Sequence, residues 1–173
     1  MTAQTVTLPD GSRVVIRRLR PDDGALYPEF LSDVTPEDFR LRFFARTAGL
    51  SDEMIGRLTR YDPATAMAFI ALPETGDRML GVVRLHDDPD GKAAEFAVLV
   101  RSSLKGRGLG WALMQRMIDY AKEHGTSRVH GQVLAGNTTM LRMCEELGFD
   151  IADDPGERGI KYVTLDLGAT APG

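Results

Sequence analysis

Three glycines alternate with larger residues in the segment LKGRGLGWALM, at Gly106, Gly108 and Gly110. Lys105 and Arg107 stand next to them. Glycine adopts backbone angles that other residues avoid and leaves no side chain between the backbone and a ligand. Successive N–H groups at the start of a helix can therefore point at one anion, which the helix dipole also attracts. The segment indicates either a phosphate-binding loop or a tight strand-to-helix turn with solvated cations.

Two common phosphate-binding loops do not fit these residues. A GxxxxGK[ST] loop needs a lysine followed by serine or threonine, and no such pair follows the glycines. A GxGxxG loop that starts at Gly106 needs a third glycine where Trp111 stands. The pattern that remains is an apolar strand, a glycine loop and a long amphipathic helix.

Glu95 is the only acid within the apolar run AAEFAVLV (Ala93–Val100), which predicts a central strand. A buried carboxylate whose pKa is raised can accept a proton at neutral pH, so Glu95 is a candidate general base. A structural role is the alternative. If the preceding hairpin turn is centred on residues 88–91, Arg84 lies directly across from Glu95, and the two form an ordinary cross-strand ion pair.

The remaining chemically active side chains indicate neither a disulfide nor a metal site. Cys144 is the single cysteine, and it falls on an apolar helical stripe, so we expect it in the core. His86, His124 and His130 lack a metal-ligand spacing. We therefore expect no metal cofactor.

Composition excludes several classes of function. The chain has 173 residues and a net charge of −4 at pH 7, which argues against a general nucleic-acid binder. It shows no signal peptide and no apolar run long enough to cross a bilayer, so we expect no membrane association and a cytoplasmic location. We expect one domain over residues 13–167, with a flexible N-terminus at 1–12 and a flexible tail at 168–173.

The hydrophobic pattern predicts the elements that must position these residues. Capping residues and prolines predict two or three short helices between the first two strands. The element order is strand, helices, three strands, helix, strand, helix, strand, which predicts a mixed α/β (α+β) layered domain. The predicted strands are SRVVIRRL, AMAFIAL, RMLGVVRLH, AAEFAVLV, SRVHGQVL and IKYVTLDL.

Two segments together resemble the GNAT superfamily of N-acetyltransferases. LKGRGLGWALM looks like the acyl-CoA-binding signature, although Lys105 stands where that signature usually has glutamine or arginine. The second signature appears as NTTMLRMCEELGF, from Asn137 to Phe149. The resemblance implies a mixed, mostly antiparallel central sheet with helices on both faces, and a splay between two strands that admits acyl-CoA.

The same resemblance implies acetyl-CoA as cosubstrate and a set of residues that bind it. The loop amides would hold the coenzyme pyrophosphate, and the central strand and Asn137 would contact the pantetheine arm. Many of these enzymes use a tyrosine on the second-signature helix to protonate the departing thiolate, and Cys144 stands at that position here. The implied coenzyme-binding residues are Val98, Leu99, Val100, Lys105, Gly106, Arg107, Gly108, Leu109, Gly110 and Asn137.

A narrower resemblance extends to Pat-type bacterial protein lysine acetyltransferases, through LRPDD, LRFF and AEFAVLVRSSLKGRGLG. It implies that Glu95 is the general base and that the acceptor is a protein lysine, with an acyl-CoA synthetase as first candidate. Two alternatives stay open: a small-molecule amine as acceptor, or an inactive acyl-CoA-binding protein. Either a monomer or a homodimer is compatible with the sequence.

Overall fold

The computed structural model describes residues 3–43, 51–156 and 158–168. They form one eight-stranded sheet with helices on both faces, and short 3-10 turns at Pro21–Leu26 and Ser102–Leu104. The strands are β1 (Gln4–Thr7), β2 (Arg13–Arg18), β3 (Ala66–Pro73), β4 (Gly81–Asp87), β5 (Ala93–Val100), β6 (Arg128–Leu134), β7 (Asp150–Asp153) and β8 (Ile160–Asp166). The helices are α1 (Tyr27–Ser32), α2 (Pro36–Phe43), α3 (Asp52–Thr59), α4 (Leu109–His124) and α5 (Thr138–Glu146).

The strands lie in the order β1-β2-β3-β4-β5-β6-β8-β7. All neighbours are antiparallel except β5 and β6, which are parallel. That parallel pairing runs only from Ala93 opposite Arg128 to Glu95 opposite His130. Beyond this point the two strands diverge. The predicted mixed, mostly antiparallel sheet is confirmed, and the divergence is the splay that the resemblance implied.

Two hydrophobic cores hold the helices against the sheet. On one face, α4 and α5 pack through side chains such as Leu113, Met117 and Cys144. On the other face, α1, α2 and α3 pack through Phe30, Phe39 and Ile55. The central strands β3 and β4 are buried on both faces, as their continuous apolar runs predict.

The N-terminal boundary predicted from the sequence is wrong. Residues 4–7 form the edge strand β1, antiparallel to β2, and Leu8 is buried in the core. As residues at a chain end they are expected to be flexible, yet pairing with β2 makes them a strand. The short strand β7 was also missed. Of the predicted tail, residues 169–173 lie outside the described residues. Within the described part of the chain, no helix is both long and apolar enough to span a membrane.

Candidate active site

The divergence of β5 from β6 opens a cleft of about 410 Å³. It reaches from the splayed strands past the glycine loop to α5, with α2 at one side. Among the residues predicted from the sequence, Arg107, Leu109 and Glu95 do not line it. Those that do are Val98, Leu99, Val100, Lys105, Gly106, Gly108, Gly110 and Asn137.

Backbone groups of β5 face this cleft without a strand opposite them. The N–H of Arg101 donates to Leu80 O at 3.0 Å, so the backbone N–H and C=O groups of the odd-numbered residues of β5 point toward β4. Because backbone groups alternate in direction along a strand, those of Val98 and Val100 point toward the splay. Leu99 instead bonds toward β4, and its side chain is buried in the core. The two valines are therefore the residues of β5 that offer free backbone hydrogen bonds.

The glycine loop presents a row of unsatisfied amides. Gly106 and Gly108 have φ values of 81° and 88°, which only glycine adopts at low cost. Ala112 N donates to Gly108 O at 3.0 Å and starts the hydrogen bonding of α4. Within the described residues, no acceptor faces the amides of residues 106–111. The first amides of a helix have no intrahelical acceptor, so this row, with the helix dipole behind it, suits an anion.

The two loop cations already have carboxylate partners. Lys105 Nζ lies 2.7 Å from Asp38 Oδ1, which ties the loop to α2. Arg107 is exposed, and its guanidinium lies 3.9 Å from the carboxylate of Asp10. The backbone amides of residues 106–111, by contrast, have no acceptor within the described residues. The side chain of Leu109 is 2% exposed and packs in the core, so this residue offers only its amide.

Gly108, Gly110 and Asn137 shape the walls of the cleft. A Cβ on Gly108 would lie 2.8 Å from Pro9 Cδ, so the absence of a side chain there is required by packing as well as by backbone angle. A Cβ on Gly110 would lie 3.7 Å from the thioether sulfur of Met143, which is ordinary contact. Asn137 Oδ1 accepts a hydrogen bond from Met140 N at 3.3 Å and caps α5.

Glu95 lies at the apex of the splay, in the last residue pair before β5 and β6 separate. It is exposed on the sheet face that also carries Leu99, opposite to α4 and α5. Within the described residues its carboxylate takes part in no hydrogen bond and no ion pair. The charge of Arg42 acts on Glu95 without a direct hydrogen bond, and the carboxylate at this point can meet a molecule that approaches the cleft from the face away from α4.

The predicted ion pair between Arg84 and Glu95 is wrong. Arg84 lies opposite Ala97, and Glu95 lies opposite His86. The hairpin closes with Asp88 N donating to Ala93 O at 2.9 Å, so its centre falls one residue later than predicted and every partner shifts by two. Arg84 Nη2 instead donates to Tyr27 Oη at 3.1 Å and to Leu58 O at 3.2 Å.

Sequence reasoning missed several neighbours of the site. His130 faces Glu95 across the parallel pair, and its Nε2 lies 2.8 Å from Asp88 Oδ2. Tyr162 packs against His130, and burial, with the charge of Asp88, raises its pKa. Arg42 lines the cleft, where burial and the charge of Arg84 lower its pKa to about 10. No sequence signal specifies these contacts, because they depend on strand register.

Cys144 is fully buried between α5 and the sheet, as expected. Burial raises the pKa of its thiol to about 12, because a thiolate is poorly solvated there. The thiol therefore stays protonated in the core and is not a nucleophile at neutral pH. Among the described residues, no group of three or more histidine, cysteine, aspartate or glutamate side chains is placed to hold a metal ion.

Comparison with known proteins agrees with this geometry. Residues 27–149 match the acetyltransferase (GNAT) family. An acetyltransferase of Pseudomonas aeruginosa is 31% identical over 87% of this chain and 82% of its own length. The GNAT domain of S. lividans PAT superposes with a TM-score of 0.87 at 27% identity, covering 95% of this chain and 97% of that domain. A Salmonella typhimurium structure, the putative acetyltransferase yncA with its cofactor acetyl-CoA, superposes with a TM-score of 0.70 at 16% identity, covering 92% and 98% of the chains.

Proposed function

The chain belongs to the GNAT family of acetyltransferases, and we propose that it transfers the acetyl group of acetyl-CoA to a protein lysine, with Glu95 as the general base. One observation carries this proposal. A single cleft has unsatisfied amides of residues 106–111 at one end and opens at its other end beside a free carboxylate, that of Glu95. The first end suits a pyrophosphate and the second suits an amine that must lose a proton.

The residues of the cleft fit acetyl-CoA. The amides of the glycine loop would accept the pyrophosphate, since they have no acceptor in the described part of the chain. The free backbone groups of Val98 and Val100 would hydrogen-bond the pantetheine arm in the splay and polarise the thioester carbonyl. Asn137 lines the same cleft next to α5.

Proton transfer would start at Glu95. A lysine side chain has an unperturbed pKa near 10.4, so at neutral pH the acceptor ammonium must give up a proton before it attacks. Glu95 would take that proton, directly or through a water. The neutral amine nitrogen then bonds to the thioester carbon, the C–S bond breaks to leave the coenzyme A thiolate, and the nitrogen loses its second proton to solvent. Cys144 is buried away from the surface, so solvent would protonate the thiolate.

Two observations support a protein lysine as acceptor. Glu95 and the neighbouring His86 are exposed on the sheet face that also carries α1, α2 and α3, where a side chain from a protein surface can reach them. The likeness to the GNAT domain of S. lividans PAT extends over almost the whole chain. That likeness supports the resemblance to Pat-type enzymes found in the sequence motifs.

An acceptor panel tests the proposal. The protein is incubated with acetyl-CoA and either an acyl-CoA synthetase or one of a set of small primary amines, and thiol release is followed with acetyl-CoA affinity measured in parallel. We expect acetylation of a synthetase lysine, seen as a mass increase on one peptide and abolished by heat-denaturing the synthetase. Transfer to small amines alone would replace the protein lysine by a small-molecule acceptor. Coenzyme binding without any transfer would contradict the catalytic proposal.

A further inference from the structure

Trp111 is an exposed aromatic residue in the first turn of α4. Among the described residues it is one of two large apolar side chains that remain exposed, at 39%, with Met54 at 40%. An indole buries more apolar area than almost any side chain, so leaving it in water forgoes considerable stabilisation. A single exposed apolar side chain is ordinary by itself, but Trp111 lies at the rim of the cleft, where a ligand can cover it.

The helix geometry directs Trp111 toward the glycine loop. It is the third residue of α4, and its own amide is the last of the unsatisfied row at 106–111. Cα–Cβ bonds in a helix tilt toward the N-terminus, so the indole leans back over the loop that precedes it. The amides that would hold the anion therefore lie directly beside the exposed ring of Trp111, at the start of the same helix.

Trp111 also joins two cavities. It lines the cleft between β5 and β6, and it lines a second cavity of about 580 Å³ between β1 and the outer side of α4. Gly108 is the other residue that the two cavities share. A ligand with its arm in the splay and its pyrophosphate on the loop amides must carry its remaining part outward past this point.

We propose that Trp111 stacks on the adenine ring of coenzyme A and thereby makes binding of the cosubstrate depend on its nucleotide end. This inference rests on the proposed function. The nucleoside follows the pyrophosphate in the coenzyme, and Trp111 provides the exposed aromatic surface next to the amides that would hold that pyrophosphate. Aromatic side chains stack on bases through their π faces. The amides would bind the pyrophosphate, and the indole would contact the adenine.

The chain offers a direct spectroscopic test, because Trp111 is its only tryptophan. Intrinsic fluorescence is titrated with coenzyme A, with adenosine 3′,5′-bisphosphate and with 4′-phosphopantetheine, which lacks the adenosine. We expect quenching by the two adenine-containing ligands and little change with 4′-phosphopantetheine. An equal response to all three ligands would overturn the proposal, and so would no response to coenzyme A at concentrations where calorimetry shows binding.

Substitutions separate stacking from folding. Trp111→Leu keeps apolar bulk, Trp111→Phe keeps a ring, and Met54→Ala removes the other exposed apolar side chain away from both cavities. By calorimetry we expect Trp111→Leu to weaken coenzyme A binding about 5- to 150-fold. Trp111→Phe should lose less coenzyme A affinity, and Met54→Ala should keep the wild-type affinity. All variants should bind 4′-phosphopantetheine as the wild type does. Unchanged coenzyme affinity in a folded Trp111→Leu protein would refute stacking. Absence of coenzyme binding in the wild type would instead refute the proposed function.

Discussion

Replacement of Gly106 by alanine tests whether the loop amides hold the coenzyme. Gly106 has φ of 81°, and a Cβ at this position would meet no atom within 4 Å, so the substitution strains the backbone without a clash. Gly108 is unsuitable, because its Cβ would lie 2.8 Å from Pro9. Gly91, in the turn between β4 and β5, is a matched control with φ of 71° and equally open space.

The two glycines differ in what holds their conformation. The turn at Gly91 is closed by Asp88 N donating to Ala93 O at 2.9 Å and by Lys92 N donating to Asp90 Oδ1 at 2.8 Å. Lys105 N donates to Ser102 O at 3.4 Å, but the amides of residues 106–111 have no acceptor within the described residues. Alanine at Gly91 must therefore keep the left-handed conformation. At residue 106, no backbone hydrogen bond of the described residues opposes a local change of φ until a ligand requires that conformation. The ion pair that ties the loop to α2 involves only the flexible side chain of Lys105.

The magnitude follows from the strain of a left-handed residue, about 1–2 kcal/mol. In Gly91→Ala this strain reduces the free energy of unfolding. The loss is offset by about 0.4–1 kcal/mol because alanine restricts the unfolded chain, which leaves a net loss of roughly 1 kcal/mol. In Gly106→Ala the strain returns when the ligand binds, so acetyl-CoA affinity should fall about 5- to 30-fold, since 1.4 kcal/mol is tenfold.

Urea unfolding and calorimetric titration with acetyl-CoA measure both quantities for both variants. We expect Gly91→Ala to lose stability with unchanged acetyl-CoA affinity, and Gly106→Ala to keep its stability with weakened affinity. A Gly106→Ala protein that loses stability like the control and binds acetyl-CoA normally would refute the reasoning about the loop.

Three further predictions concern the framework around the site. Because Cys144 is buried and burial raises its pKa to about 12, a thiol reagent at pH 8 should modify the native protein far more slowly than the urea-unfolded protein; equal rates would contradict the packing. Burial alone would raise the pKa of Asp23, but hydrogen bonds, chiefly from Arg17, outweigh burial and lower that pKa. The contribution of ionised Asp23 to the free energy of unfolding is therefore present above about pH 4 and is lost as the pH falls further. Asp23→Asn should therefore be less stable at pH 7 and lose less stability between pH 5 and pH 3 than the wild type, measured by urea unfolding; parallel acid profiles would count against it. Arg101 Nε donates to Met79 O at 2.8 Å in the core, so Arg101→Met should cost about 1–3 kcal/mol by leaving that carbonyl unpaired, and unchanged urea stability would contradict this.

Local patterns allowed much of the fold to be predicted. The strand at Ala93–Val100, the loop at residues 105–110 and the helix cap at Asn137 are specified by residues close together in the sequence. Glycine conformation and helix capping depend on a few neighbouring residues. The spacing of apolar residues along a segment indicates whether it is a helix or a strand. These local signals also located eight of the residues that line the cleft, including Val98, Gly106 and Asn137.

Features that depend on distant partners could not be predicted in the same way. The sequence predicted Arg84 as the cross-strand partner of Glu95, but the structure has His86 there, because the hairpin turn is centred one residue later than assumed. The charge of Lys105 is partnered by Asp38, which lies on a different helix. The strand β1 forms because β2 offers it a free edge, which its own composition does not show. Register and long-range packing thus determined each of these differences.

Replacement of Glu95 by glutamine tests the central claim most directly. The substitution keeps the size of the side chain and removes its ability to take a proton, and Glu123→Gln, on an exposed residue of α4, is the matched control. Steady-state thiol release is measured with the acceptor identified by the panel, and acetyl-CoA affinity by calorimetry. The account predicts that Glu95→Gln lowers kcat about 10²- to 10⁴-fold while acetyl-CoA affinity and the control stay unchanged. Normal turnover by a folded Glu95→Gln protein would contradict it.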